Sequence, residues 1–443
     1  MTPGARAQAA IDLIDKTLSV WLSEKRIPAD KLLDNYFKTH RYIGSKDRAA
    51  IGELFYWILR HKAALEWWME RSNQRVHGRS YVLAALALRG EYSSSLSKDS
   101  QYSPPPLDEH ELQLVSQLAD KQIEHRDMPD HVRLNYPAWC DDYLRRAFPK
   151  DFDAALRCLN EQAPTDLRVN TIKTSREDLQ RALAKEEFET TPTELSPIGL
   201  RLARRMPIFT SELFKLGHFE VQDEGSQAVA LIVDAQPGHR VIDFCAGAGG
   251  KTLAMAACMQ NKGRIMAWDI SEKRLSQITL RLRRAGVDNV QTHVITSEQD
   301  AFIKRHKQTA DRVLVDAPCS GTGTWRRNPD LKWRFTQKDL DEVVAVQQSI
   351  LQSAARLVKP GGRLIYATCS VLQEENELQA AQFLKTVNNF EGGKEHFKVV
   401  CAKKIWDKNS TAGDADEVSY LSITPHQDGV DGFFAAIFER TAK

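Results

Sequence analysis

Val241-Ile242-Asp243-Phe244-Cys245-Ala246-Gly247-Ala248-Gly249-Gly250-Lys251-Thr252 decides how this chain folds. A short apolar run carries an aspartate near its end. A glycine-rich turn follows, then the start of an apolar helix. This is how a doubly wound α/β sheet begins. Outward from it, strands and helices alternate. Lys251 to Met259 reads as a helix, Arg264 to Trp268 as a strand and Glu272 to Ala285 as a helix. Val290 to Ile295, Val313 to Val315 and Leu364 to Tyr366 continue the strands, and the alternation predicts a mostly parallel, Rossmann-like sheet. The tail Asp431 to Phe438 is expected as a strand pairing antiparallel at the end of that sheet.

Three glycines in the turn let backbone come close to a ligand and present N–H groups at a helix start. A phosphate-binding P-loop would need Gly where Cys245 stands, and a dinucleotide fingerprint would need Gly at Thr252. An S-adenosylmethionine loop remains, formed by Cys245, Ala246, Gly247, Ala248, Gly249, Gly250 and Lys251. The carboxylate that holds ribose hydroxyls should end the next strand, about 20 residues on. Asp269 stands there.

Two thiol loops choose the chemistry. Asp316-Ala317-Pro318-Cys319-Ser320 and Tyr366-Ala367-Thr368-Cys369-Ser370 each follow a buried-strand pattern. Side chains at the carboxyl ends of such strands face the ligand crevice, so both thiols are expected over one substrate. A lone free Cys usually just packs. Two thiols in polar turns past strand ends fit nucleophilic catalysis better.

The 443 residues are 42% hydrophobic and 27% charged, ordinary for a globular protein of two or three domains. Net charge is only +2, so affinity for nucleic acid must come from local basic patches. Seven scattered cysteines argue for a reducing compartment and against a disulfide framework. No metal, no membrane span and no signal peptide are expected, which makes the cytoplasm and a monomer the default. Residues 1–150 read as helical, with a Ser/Pro-rich insert at 90–106. Ser45 is expected to cap a helix carrying Asp47 in its first turn. Residues 151–220 read as a small α+β module and 221–443 as the α/β domain. Trp325 to Arg334 interleaves aromatics with cations, suiting either stacking on unpaired bases or core packing.

Cys-Ala-x-x-Gly-Gly-Lys-Thr, Asp-Ala-Pro-Cys-Ser-Gly-Thr-Gly and Tyr-Ala-Thr-Cys-Ser-Val-x-x-x-Glu-Asn together resemble the Sun/RsmB family of RNA 5-methylcytosine methyltransferases. The likeness runs from Ala163-Pro164-Thr165-Asp166-Leu167-Arg168-Val169-Asn170 to the Asp-Gly-Phe-Phe tail. The stretch Arg41 to Arg48 resembles, more loosely, a NusB-type helical domain, which would make 1–150 and 151–220 RNA-binding parts. The resemblance implies Cys369 as nucleophile, Cys319 in product release, and Asp316 on the cytosine ring nitrogen. Lys251 lies near the methyl donor and would orient the ring or lower a thiol pKa. Ala248 replaces the usual Pro of the loop. The usual adenine-side carboxylate falls at Ser297, with Glu298 next to it.

The expected activity is methyl transfer from S-adenosylmethionine to carbon-5 of a cytosine in RNA. Small-subunit 16S ribosomal RNA is the expected substrate, with transfer RNA as the alternative. A non-catalytic RNA-binding assembly factor and a DNA methyltransferase using the Pro-Cys thiol are the competing classes. Both intact thiol loops count against the first, and the Thr-Cys-Ser loop counts against the second.

Overall fold

The computed structural model describes residues 1–23, 27–97, 102–389, 396–402, 405 and 420–441. The chain forms two units. One comprises Met1–Arg145, Asp151–Asn160 and Trp325–Gln337; the other comprises Arg146–Lys150, Glu161–Thr324 and Lys338–Lys443.

The first unit is helical. Helix Pro3–Trp21 starts with Thr2, whose hydroxyl accepts from the Ala5 N–H at 3.2 Å, and with Pro in the first turn. Helix Gly78–Leu88 carries almost no charge and is buried nearly all round, so it forms the middle of the bundle. Helix Ser45–Arg60 departs from expectation: extended Gly44 holds the cap position, and Ser45 is already helical. Asp47 does lie in its first turn, where Arg6 binds it at 2.7 Å. Within the Ser/Pro-rich insert, residues 98–101 lie outside the described residues.

The segment Trp325–Gln337 belongs to this helical unit, although it follows the Cys319 loop in sequence. Its aromatic and basic residues pack rather than face solvent. Trp325 and Lys332 are each 2% exposed. Lys332 Nζ donates to the Asn135 carbonyl at 3.1 Å and to Asn160 Oδ1 at 2.5 Å, beside the Trp325 ring. Burial, then the Arg60 charge, pushes its pKa well down. Trp333 Nε1 donates to the Leu59 carbonyl at 2.7 Å. Asp330 Oδ2 accepts the first N–H of helix Ala29–Thr39, from Ala29, at 3.1 Å and also binds Arg334 at 2.7 Å.

The second unit has two sheets. Strands β1 (Asp166–Val169), β2 (Thr190–Pro192), β3 (Gly199–Leu202) and β4 (Phe219–Val221) form an antiparallel sheet ordered β2-β3-β1-β4. Leu179 and Leu183 of helix Arg176–Lys185 pack on it with Leu167, Val169 and Leu200. The larger sheet contains β5 (Arg240–Asp243), β6 (Arg264–Asp269), β7 (Val290–Val294), β8 (Ala310–Asp316), β9 (Val358–Thr368), β10 (Phe397–Val400), β11 (Leu421–Ile423) and β12 (Phe433–Arg440). Its order is β10-β12-β9-β8-β5-β6-β7, with β11 on β12, and β5 to β9 are mutually parallel.

The tail strand is not the sheet's edge. β12 pairs with β9 on one side and with β10 and β11 on the other. Phe433 to Phe438 are all buried, and a strand apolar on both faces belongs inside a sheet. Asp243, Asp269, Asp316 and Thr368 end β5, β6, β8 and β9 on the same side, and that edge positions the site.

Asp330→Ala removes the acceptor at a helix start and the partner of Arg334. The helical unit is expected to lose about 1–2 kcal/mol, the usual worth of such a cap. Urea unfolding followed by tryptophan fluorescence measures this, and an unchanged midpoint would refute it.

Candidate active site

The glycine loop is clamped from several sides. Gly247 and Gly249 have φ of 55° and 82°, a left-handed backbone that side chains resist. A Cβ on Gly249 would also lie 2.8 Å from Ile278. Asp269 Oδ2 accepts from the Gly247 N–H at 2.9 Å, and its Oδ1 accepts from Ser271 N–H at 2.8 Å. The small sheet reaches the loop as well. Buried Arg168 on β1 donates to the Gly250 carbonyl at 2.6 Å and to Gln222. Arg281 donates to the Ala248 carbonyl at 2.6 Å and is held by Glu220 of β4 at 2.9 Å.

Beside the loop is a cavity of about 450 Å³. Cys245, Ala246, Gly247, Ala248, Gly250, Lys251, Asp269, Asp316, Cys319 and Cys369 all line it. Gly249 contributes the turn behind this wall. Ser297 does not line the cavity, whereas Glu298 does, fixed by the Ser349 hydroxyl at 2.7 Å. Of the two neighbouring positions, the turn after β7 turns Glu298 toward the cavity. Asp243 also lines the cavity. Its Oδ2 accepts from Thr252 at 2.6 Å, while its buried Oδ1 has no hydrogen-bond partner among the described residues. Burial pushes its pKa up to about 7.

The thiols meet. Cys319 Sγ and Cys369 Sγ are 3.4 Å apart, although fifty positions separate them in sequence. Lys251 Nζ donates to Asp316 Oδ2 at 2.7 Å next to them. Burial disfavours the Lys251 charge, but Asp316 and then Cys369 and Asp243 outweigh it, so its pKa is raised. The Cys319 thiol is pushed well up by its contact with Cys369 and by burial. It is therefore held neutral.

One residue quoted in the sequence motif without a role organises both loops. The buried carboxylate of Glu375 accepts from the Ser320 N–H at 2.8 Å, the Ser320 hydroxyl at 2.5 Å and the Ser370 hydroxyl at 2.5 Å. Gln347 adds a fourth bond at 3.0 Å and also donates to the Pro318 carbonyl at 2.9 Å. Asn376 accepts from the Thr368 hydroxyl and donates to the Ser370 carbonyl. Spacing alone gave no sign of this, because the pairing crosses from one strand end to the next. Among the described residues, no group of three or more His, Cys, Asp or Glu is placed to hold a metal. No described helix is long and apolar enough to cross a membrane.

Residues 230–439 match the family described as 16S rRNA methyltransferase RsmB/F, and residues 136–209 match the ferredoxin-like domain of RsmF/B-like methyltransferases. The chain is 30% identical to ribosomal RNA small subunit methyltransferase B of Yersinia pseudotuberculosis, over 77% of its own length and 83% of the relative's. It is 34% identical to a probable ribosomal RNA small subunit methyltransferase B of Synechocystis, over 68% of its own length and 66% of the relative's. The crystal structure of PH0851 superposes with a TM-score of 0.78 at 25% identity, covering 99% of both chains. The chain belongs to the RsmB/F family of 16S rRNA methyltransferases, enzymes that depend on S-adenosylmethionine.

Proposed function

We propose that this chain methylates carbon-5 of a cytosine in small-subunit ribosomal RNA through a covalent cysteine–cytosine adduct. The observation that carries the reading is the pair of thiols 3.4 Å apart at two strand ends, opening on the same cavity as the glycine loop. The relatives' names, which specify small-subunit ribosomal RNA, supply the substrate class.

The cavity suits S-adenosylmethionine. That molecule carries sulfonium and ammonium cations, and the cavity offers Asp243, Asp269, Glu298 and Asp316 with a buried, unpartnered carboxylate oxygen on Asp243. Asp269 is assigned to the ribose hydroxyls and Glu298 to the adenine side. When bound, S-adenosylmethionine supplies an electrophilic methyl group. The protein's own groups must make cytosine accept it.

Carbon-5 of cytosine is a weak nucleophile. A thiolate adding to carbon-6 moves electron density to carbon-5, and covalent catalysis splits one hard step into easier ones. Cys369 is assigned that attack. Lys251, paired with Asp316, lies beside Cys369 at the same end of the cavity. Asp316 is assigned to accept from the ring nitrogen once that nitrogen is protonated in the intermediate, with Lys251 holding its carboxylate. Once carbon-5 is methylated, water takes its proton, the C5–H electron pair restores the ring double bond, and the carbon–sulfur bond breaks with Cys369 leaving as thiolate. Cys319, whose thiolate is disfavoured and whose sulfur lies 3.4 Å from Cys369, is assigned to donate its proton to that leaving sulfur. The helical unit and the small sheet are read as the parts that select the RNA.

Asp269→Ala removes both the loop's anchor and the ribose partner. S-adenosylmethionine affinity should fall by about 1.5–3 kcal/mol, the range for losing a hydrogen bond to a charged group. Titration calorimetry reads it directly, and unchanged affinity would remove Asp269 from the assignment.

The two thiols should fail differently. Cys369→Ala should be inactive and form no adduct. Cys319→Ala should attack, accept methyl and then stall, accumulating RNA-linked protein as a shifted band in denaturing gels. An adduct with Cys369→Ala and none with Cys319→Ala would reverse the roles. Activity in both variants would remove the thiols from the mechanism.

A further inference from the structure

A second cavity, of about 530 Å³, opens on one face of the parallel sheet and shares no lining residue with the first. Arg240 and Arg264, the first residues of β5 and β6, line it with Trp268, His293, Phe302 and His306. It exists because the crossover from β7 to β8 carries only the four-residue helix Ala301–Lys304, too short to cover the sheet there. The volume lies in the range of small-ligand sites.

Its lining is aromatic and cationic. The His293 and Phe302 rings stack at 3.6 Å, and Trp268 and His306 meet Phe302 at 5.5 and 4.8 Å. Arg240 Nη2 lies 3.0 Å from His306 Nδ1, while its buried Nε has no hydrogen-bond partner among the described residues. Burial, then the charges of Arg240, His293 and Arg305, holds His306 below its ordinary pKa. Nearby carboxylates are engaged elsewhere. Asp311 binds Lys359 and the Arg240 backbone N–H, and Asp300 accepts from Thr296 and the Phe302 N–H. Among the described residues, the guanidiniums of Arg240, Arg264 and Arg305 have no ion-pair partner. Stacking surface beside unneutralised guanidinium suits a nucleotide: a base for the ring, a phosphate for the cations.

We infer that this cavity is a second RNA-binding site, which takes an unpaired nucleotide of the substrate strand at a distance from the target cytosine. The inference rests on the RNA-methyltransferase reading above. From Arg264 to Asp269 the strand rises about 16 Å at roughly 3.3 Å per residue. Five stacked nucleotides at about 3.4 Å each span that length. The site therefore fixes the register of the strand that crosses the catalytic edge. Trp268 reaches the glycine loop through its carbonyl, which accepts from the Ala246 N–H at 2.8 Å, so the test uses Arg264, His293 and Arg305, none of which lines the catalytic cavity.

Arg264→Glu/Arg305→Glu, both exposed, and separately His293→Ala test it in the full-length protein. Binding of a single-stranded fragment of 16S RNA is followed by fluorescence anisotropy from 50 to 300 mM salt. S-adenosylmethionine affinity and the methylation rate at saturating RNA are measured alongside. The double variant should bind RNA at least tenfold more weakly, and its log K against log salt should flatten by about 1.4, the share of two lost phosphate contacts on a single strand. His293→Ala should weaken binding with no change in that slope. Cofactor affinity and saturated rate should stay within twofold of the parent. Unchanged affinity and slope in the double variant, with a parent that binds and methylates RNA, would overturn the site and leave the activity standing. A parent that neither binds nor methylates RNA would overturn the activity and the site together. If a variant fails to fold, photo-crosslinking of 4-thiouridine RNA to the parent decides: crosslinks within residues 291–307 support the site, and crosslinks confined to the catalytic edge overturn it.

Discussion

The two thiol loops depend on one buried carboxylate. Glu375 takes four hydrogen bonds, two from Ser320, one from Ser370 and one from Gln347. Burial raises its pKa, and the bonds it accepts offset that only in part. A buried carboxylate with its lone pairs filled is strongly directional, because every donor that turns away leaves it unpaired. The loops carrying Cys319 and Cys369 follow the adjacent strands β8 and β9, and the backbone joins them directly, the Gly323 N–H donating to the Cys369 carbonyl at 3.0 Å. Their joint attachment to Glu375, with Asn376 on Ser370, adds side-chain bonds to that join, and the sulfurs stand 3.4 Å apart.

The same logic extends to the glycine loop. Its backbone needs left-handed conformations at Gly247 and Gly249, so it has little intrinsic preference for one shape. Arg168 and Arg281 hold two of its carbonyls, and Asp269 holds one of its N–H groups. Two of these clamps trace to the small antiparallel sheet, through Arg168 on β1 and Glu220 on β4. That sheet therefore shapes the cofactor cavity as well as adding surface. Asn170 makes the same join by donating to the Gly217 and Ala285 carbonyls, each at 2.8 Å.

Much of this was readable before any coordinates. Apolar runs ending in Asp243, Asp269 and Asp316 announce parallel strands, because burial on both faces demands continuous hydrophobicity. The thiols were legible because their loops lie past such ends. Other features depend on pairing across the fold, which local patterns do not record. Glu298 lines the cavity instead of Ser297 because the turn after β7 sets which side chain faces inward. Glu375 is one glutamate among many until Ser320 and Ser370 converge on it. The interleaved run Trp325 to Arg334 has the composition of an RNA contact. Only its tertiary partners, Leu59, Asn135 and Asn160, show it to be packed.

The placement of that run bears on how the protein is made. Each unit is assembled from three separate stretches of chain, and the helical unit receives its last stretch only with residues 325–337. During synthesis, the amino-terminal helices emerge first but lack Asp330 at a helix start and Lys332 beneath Trp325. They must wait, partly complete, while the glycine loop and the Cys319 strand are translated. Closing the helical unit then draws in the chain six residues beyond Cys319. The Cys319 loop is completed later still, because Glu375, which takes two bonds from Ser320, is translated after residue 337.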